Sequence, residues 1–566
     1  MAVAVTARPS LANRTERFIP RLALLGFVAG LGYLVVLPLY RLQMLAFADG
    51  AQGYRTAYGS PKVWETLRTT MSLAVGSLTI AMVLGTLLAW AATRLPAKSA
   101  LLRTLPIMPI IVPSVASVIG WSFLLSPRPG YLNALLRMLP WWSDLDTGPV
   151  DVYSTPWIII ITGFGLTAFV YLFVSAGMQN INTELVEAAQ VSGSSQLSIF
   201  VKVILPLLRP SLVYGGGVAL LLGLGQFTGP LLLGRQSGVS VLTTEMYNAV
   251  GQTPADYAAA AALGSPLLIF GFSFVIIQKV ILGDQTRFVT HAGKGFKSTA
   301  RPSRIAKFGI LLYSFLATVL PVTALLLVSL SSFWSGKIDP SKFTLANFQR
   351  IFKEGRVVDA IFTSLTVSLA AVLIALPIGF VVARLLLKGK DRPILRSIVD
   401  FLVAMPLGIP AVIFGVGFLL TYTQQPFVLY GTKWVIVLVY VTLMLPFTTR
   451  MQLAGMVALG DNYVEAARVS GAGSFRTATQ ILLPLMRPTL GGAGALMFVL
   501  LTHEFAASLL VRAPTTQVMG TVLFDFYTNG SYPLVAAIAL IMTIVTAFGV
   551  VIAMLLGGGS DVFNKL

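Results

Sequence analysis

The sequence predicts an all-α polytopic membrane protein built as two parallel six-helix halves. Three observations carry this. Of 566 residues, 56% are apolar and only 11% charged, against about 25% charged in an ordinary soluble domain. The apolar residues gather into twelve runs, each close to the ~20 residues a helix needs to cross hydrocarbon. Finally, the segment 182–212 recurs at 460–490 without a gap. Such a composition excludes a soluble enzyme, a disordered chain and a collagen-like fibre. An outer-membrane barrel would need strictly alternating strands of ~10 residues. With no cysteine, disulfides, thiolate metal sites and cysteine nucleophiles are excluded as well.

The first run, 22–40, follows Arg8, Arg14, Arg17 and Arg21. It is long enough to span and reads as an uncleaved first helix rather than a signal peptide. The remaining first-half spans are expected at 69–93, 104–126, 156–178, 211–233 and 259–282. Those of the second half are expected at 308–333, 359–383, 397–421, 434–457, 489–511 and 533–555. The net charge of +19 sits in short loops, not in a stripe with interleaved aromatics, so it predicts membrane orientation and no nucleic acid. Arg94, Lys98 and Arg103 fill one loop; Arg384, Lys388, Lys390, Arg392 and Arg396 fill its counterpart. Many acids, among them Asp144, Asp146, Asp151, Asp256 and Asp339, fall in the opposite loops. Both termini are therefore expected in the cytoplasm.

The basic stretch 284–307 reads as a cytoplasmic linker between a first domain, 1–283, and a second, 308–566. Its Gly293-Lys-Gly-Phe-Lys297-Ser298 resembles a phosphate loop only superficially, because the glycine before the lysine and the preceding strand are missing.

Within 182–212, Val186, Glu187, Ala188, Ala189, Val191, Ser192, Gly193, Leu205, Pro206, Leu207, Arg209, Pro210 and Leu212 recur identically in 460–490. Upstream, Pro109, Pro113 and Gly120 match Pro406, Pro410 and Gly417. Each half has an even number of spans, so the halves point the same way and should be related by an axis along the membrane normal. Prolines and Ser192-Gly193 break the repeated segment. It reads as two short helices along the cytoplasmic surface, with Val186, Ala189 and Gln190 on one face and Glu187 on another.

Glu187-Ala188-Ala189, three residues, Gly193, nine residues, then Val203-Ile-Leu-Pro206 resembles the EAA loop of binding-protein-dependent ABC importer permeases. Glu465-Ala466-Ala467, Gly471, Ile481, Leu483 and Pro484 fit the family spacing fully; Val203 replaces isoleucine in the first copy. The resemblance covers nearly the whole chain, as two type I importer permease domains fused in tandem. It implies a bacterial inner-membrane location, two copies of an ABC ATPase below and an extracytoplasmic substrate-binding protein above. It also implies that Glu187, Ala188, Ala189, Gly193 and Pro206, with Glu465, Ala466, Ala467, Gly471 and Pro484, form the ATPase-coupling loops. This chain has no Walker A loop and no ABC signature, so ATP is expected on the partner subunits, with no cofactor and no catalysis here.

A twelve-helix secondary carrier is the rival of another class, but it would couple through intramembrane charges. Here these are few: Glu504 and, near a helix end, Asp400. A membrane-embedded enzyme would need clustered ligands, and the only histidines are His291 and His503. The fused format, the segment FTLANFQRIF at 343–352 and Met405-Pro-Leu-Gly-Ile-Pro410 resemble the ferric-iron and thiamine subgroup, with polyamine and aminoethylphosphonate permeases nearby. Trp121–Asn133 looks most like the iron branch. Ferric ion prefers hard oxygen ligands, so the lack of cysteine does not count against it; any metal ligands in this chain stay unassigned. At the repeat offset Gln226 aligns with Glu504 and Phe227 with Phe505. A carboxylate within a span faces a cavity or a partner, so Gln226 and Glu504 are pathway candidates, buried packing being the alternative for Glu504.

Overall fold

The computed structural model describes residues 11–96, 99–179, 181–282, 303–388 and 392–556, and every regular element among them is helical. Among the described residues eight helices are long and apolar enough to cross a membrane alone, and up to twelve spans result if each of four bent helix pairs counts as one. Most of the expected linker, with the lysine-glycine decoy and His291, lies outside the described residues.

The first half contains α1 (Leu11–Gly59), α2 (Lys62–Ala92), α3 (Ala100–Ile110), α4 (Ser114–Leu125), α5 (Tyr131–Leu136) and α6 (Thr155–Gln179). It continues through α7 (Thr183–Val191), α8 (Gln196–Leu207), α9 (Arg209–Leu224), α10 (Leu242–Gly251) and α11 (Tyr257–Leu282). The second half contains α12 (Arg304–Leu330), α13 (Ala346–Lys353), α14 (Gly355–Lys388), α15 (Pro393–Gly408), α16 (Ala411–Tyr422) and α17 (Lys433–Leu459). It closes with α18 (Asn462–Val469), α19 (Phe475–Leu485), α20 (Arg487–Thr502), α21 (Ala506–Val511), α22 (Met519–Thr528) and α23 (Tyr532–Leu556).

Several spans differ from the straight rods the hydropathy predicts. Those expected at 104–126 and 397–421 are bent by 89° and 110° between their two helices. The cause is proline, which lacks a donor and pushes the residue before it into extended backbone: Ile409 has φ −117°, ψ 125° ahead of Pro410. The spans expected at 211–233 and 489–511 start after bends of 74° and 72°. They then unwind at Gly225–Phe227 and His503–Phe505 before a further short helical turn. The first helix continues well past residue 40, interrupted at 48–51, where Asp49, Gly50 and Ala51 take positive φ.

The halves complete each other reciprocally. α4 packs on α12 and α23, while α16 packs on α1 and α11. The repeated glycines sit at these crossings. A Cβ on Gly120 would stand 2.4 Å from the Pro321 carbonyl oxygen, and one on Gly417 would stand 2.9 Å from that of Pro38. Neither distance is open to a real side chain, so glycine is what lets the backbones approach. Hydrogen bonds also cross between halves, from Arg41 Nη1 to Thr421 O (3.0 Å), Tyr313 Oη to Phe164 O (2.8 Å) and Tyr527 Oη to Leu232 O (3.0 Å). One buried apolar core, running from Leu31 to Met542, draws on both halves.

Candidate coupling loops and translocation path

Two loops of the same shape project from the bundle. In the first, Asn182 caps α7 by accepting the Glu184 N–H at 3.0 Å. Val186 is buried beneath the helix, whereas Glu187 and Ala188 are exposed. α7 and α18 stop in the same way. Gly193 and Gly471 have φ +78° and +76°. Ser194 N–H donates to Ala189 O (3.1 Å) and Ala472 N–H to Ala467 O (2.9 Å), closing the left-handed C-terminal turn that favours glycine. Nothing lies within 4 Å of a Cβ at either position, so the backbone angle, not space, selects the residue. Just before the turn, Val191 and Val469 are each 90% exposed, and just past it Leu197 and Phe475 are 65% and 82% exposed. Apolar side chains thus stand free at matched places on the two loops.

Beyond the turn, each second helix widens into a π-helical segment, Phe200–Ile204 in one half and Ala478–Leu482 in the other. Pro206 and Pro484 follow directly. A proline frees a carbonyl of the preceding turn and crowds it, and the wider winding absorbs the mismatch. Each half then bends into its fifth span.

On their inner sides the loops differ. The Phe200 ring stacks on Trp90, centroids 4.4 Å apart, and the Arg94 guanidinium lies 3.8 Å over the Trp90 ring. Arg94 Nη2 also donates to Gln196 Oε1 at 3.0 Å. The second loop has Ala478 in the place of Phe200 and packs over a small cluster with Phe380, Met456, Leu482 and Met486.

Where the fifth spans unwind, the halves meet. Phe227 and Phe505, matched by the repeat, touch each other with centroids 5.7 Å apart. Phe227 also contacts Tyr247 of α10 (5.8 Å), Phe505 contacts Phe524 of α22 (5.7 Å), and Tyr247 meets Phe524 (6.3 Å). Tyr247 and Phe524 hold the same place in their helices, three residues past Thr244 and Thr521. Residues related by a two-fold that touch each other lie on its axis, so four rings close the middle of the molecule. Sequence reasoning aligned the two phenylalanines but missed this ring; the Val-x-x-Thr starts of α10 and α22 were the available signal. It also missed Asp525, which pairs with Arg512 (2.9 Å) and with Arg356.

Gln226 and Glu504 occupy different surroundings despite their alignment. Both Glu504 oxygens serve the first turn of α21: Oε1 accepts the Ala507 N–H (2.8 Å), and Oε2 accepts the Ser508 N–H (3.0 Å) and hydroxyl (2.6 Å). They satisfy donors that a helix start leaves open. Gln226 instead lines a cavity of about 300 Å³ between the halves, together with His503, Ser114, Ser117, Thr162 and Thr228. Its backbone carbonyl accepts the Thr243 hydroxyl. Asp400 is paired with Arg450 at 2.8 Å. Among the described residues no group of three or more acidic or histidine side chains could hold a metal ion.

The profile of the family described as "Binding-protein-dependent transport system inner membrane component" matches twice, at residues 77–284 and 375–561. The ferric transport system permease protein FbpB of Actinobacillus pleuropneumoniae is 24% identical over 537 residues, covering 92% of this chain and 76% of that protein. A putative ferric transport permease of Haemophilus influenzae is 26% identical, covering 77% of this chain and 68% of its own length. A putative 2-aminoethylphosphonate permease, PhnV of Salmonella typhimurium, is 29% identical, covering 40% of this chain and 84% of its own. The chain belongs to the binding-protein-dependent transport system inner membrane component family, as a tandem fusion of two such domains.

Proposed function

We propose that this permease carries ferric iron, delivered by an extracytoplasmic binding protein, into the cytoplasm, driven by two ATPase copies seated on its two EAA loops. The observation that supports the coupling half is the matched pair of loops. Each presents an exposed glutamate, Glu187 or Glu465, and a bare valine beside a glycine at positive φ. One shape offered twice suits one kind of partner present twice. Ala188, Ala189, Ala466 and Ala467 belong to the same short helices, and Pro206 and Pro484 set the bends that join them to the fifth spans. The domains divide at 284–307, and both termini lie on the side of these loops, with the basic clusters. ATP binds the partner chains and no cofactor binds this one. The iron assignment leans on the ferric relatives, which align along most of the chain. The shorter phosphonate alignment makes aminoethylphosphonate the second reading.

Purified alone, the chain should hydrolyse no ATP. Assembled with its ATPases and binding protein in proteoliposomes, it should import Fe(III) presented on the binding protein. Glu187→Ala with Glu465→Ala should cut uptake about ten-fold, as loss of anchoring contacts at an interface does, with the chain still inserted. Normal uptake and normal ATPase retention in the double variant would remove both glutamates from the coupling surface.

A further inference from the structure

The outer ends of the two halves match residue by residue, except that one cation has no partner. α10 and α22 follow the fifth spans, so they lie on the side of the molecule opposite the coupling loops. Each is pinned in the same way at its start. Leu242 N–H donates to Thr70 Oγ1 of α2 (3.0 Å), and Met519 N–H donates to Ser364 Oγ of α14 (2.8 Å). Counted from these anchors, Arg235 stands seven residues before Leu242, and Arg512 seven before Met519. Asn248 and Asp525 each stand six residues after their anchors. Lys62 and Arg356 each stand eight residues ahead of Thr70 and Ser364. The two halves therefore hold three pairs of equivalent positions, and only one pair exchanges an acid for an amide.

In the second half Asp525 holds the set together. It pairs with Arg512 (2.9 Å) and with Arg356, and it accepts from Gln517 Nε2 (3.3 Å). Arg512 Nη1 donates further to Thr521 O (3.1 Å). In the first half the acid is missing. Lys62 pairs instead with Glu245 at 3.0 Å, and Arg235 is exposed, with no ion pair or hydrogen bond among the described residues. Asp525 cannot serve it, because each of its oxygens already meets a guanidinium. Yet Arg235 is close to the closure. Burial raises the pKa of the Tyr247 hydroxyl, the Arg512 and Arg235 guanidiniums oppose that rise, and Asp525 adds to it. All three charges thus act on a member of the aromatic ring. An exposed arginine is ordinary by itself. This one is set apart because its counterpart shows what satisfies the position: a carboxylate.

We propose that Arg235 is a docking handle for a carboxylate on the extracytoplasmic binding protein, which supplies to the first half what Asp525 supplies to the second. This rests on the reading above that a binding protein delivers the substrate. A charge at the rim of an interface steers the approach and fixes the register of the partner. Here it also breaks the symmetry of the outer face. One half is closed by its own acid and the other offers a cation, so the incoming protein meets two unlike ends and has one way round. The handle stands beside Tyr247, so docking engages the helix, α10, that must move if the ring is to part.

The test uses the assembled importer in proteoliposomes, with its binding protein loaded with Fe(III) as the probe. ATP hydrolysis is titrated with the binding protein at low and at high salt. Arg235→Glu should raise the half-stimulating concentration about ten-fold at low salt, as reversal of a steering charge does. The gap should narrow at high salt, which screens exposed charges. Arg235→Lys should lie near the wild type. Asn248→Asp, which supplies the missing acid from within the chain, should shift the titration in the same direction as Arg235→Glu. The chain has no cysteine, so Arg235→Cys carries a unique thiol, and a photo-crosslinker attached there should join it to the binding protein. A wild-type titration curve in Arg235→Glu overturns the handle. So does an equal shift in Lys433→Glu, a reversal of an exposed cation elsewhere on the outer side. A lower maximal hydrolysis at an unchanged half-stimulating concentration overturns it too, because Arg235 would then act within the closure and not at the interface. A wild-type complex that the binding protein does not stimulate overturns the delivery reading itself, and the handle with it.

Discussion

The two coupling loops are alike on the outside and unlike on the inside. Outward, they share glutamate, alanine pair, bare valine and left-handed glycine, position for position. Inward, one rests on a stacked Trp90–Phe200 pair under Arg94, and the other has only Ala478 there. On the proposed coupling role, the outer face meets one kind of partner twice and has little room to diverge. A face that meets its own half needs only to fill whatever space that half leaves. The unwound turns extend the comparison. The phenylalanines that touch each other across the axis are identical, while the flanking residues, Gln226 against Glu504 and Gly225 against His503, have gone separate ways.

The sharpest way to break this comparison is at the turns. Gly193→Val with Gly471→Val forces a β-branched residue into the left-handed region, at roughly 1–2 kcal/mol or more per site. The double variant should lose its ATPase subunits on purification, and the two single variants should lose them about equally. Unequal singles would show that the outer faces are not equivalent in use. Next, Phe200→Ala should lower the stability of the first half by about 3 kcal/mol, the cost of a buried ring, read as an earlier melting transition. The outer face of α7 should keep its ATPase contacts once folded.

The third effect concerns Glu504. Glu504→Leu opens three donors at the start of α21 and should cost about 1–2 kcal/mol, seen as less folded protein. Uptake per folded molecule should be unchanged, and Glu504→Gln should fall between. A large loss of uptake in the Gln variant, with folding intact, would return Glu504 to the pathway. The smallest effect is Arg94→Ala, worth about 0.5–1 kcal/mol for a cation on a partly exposed ring, visible only as a slight shift in melting.

The legible part of the fold was whatever repeats along the chain. Hydropathy gave the count of spans, and the proline and glycine spacing gave the loops and their turns. Val186 inward and Glu187 outward follow from helical spacing alone, and both are so placed. The bends were signalled by Pro109, Pro113, Pro406 and Pro410, yet hydropathy averages over a bend and reports one rod. The unwinding at Gly225–Phe227 carried no comparable signal, because only the tertiary setting decides whether glycine and glutamine leave a helix. The aromatic ring lies further out of reach. Phe227, Tyr247, Phe505 and Phe524 are far apart in the chain, and nothing local says that they meet. Glu504 was legible as unusual but not as a cap, since the start of α21 was hidden inside an expected span.

The reciprocal crossing at Gly120 and Gly417 bears on how such a protein assembles. Each half lends a helix to close the other, so neither has a finished core by itself, and the surface a lone half would expose is one that another copy of itself could nearly cover. With two separate chains, like could pair with like, and half of the products would carry two glutamines or two histidines at the centre. A tether makes the correct encounter intramolecular, at an effective concentration far above that of any second copy in the membrane. Cutting the chain between the halves should therefore leave functional assemblies when both pieces are made together, but only about half as many by random pairing. What would be lost is the bookkeeping of one left hand for every right.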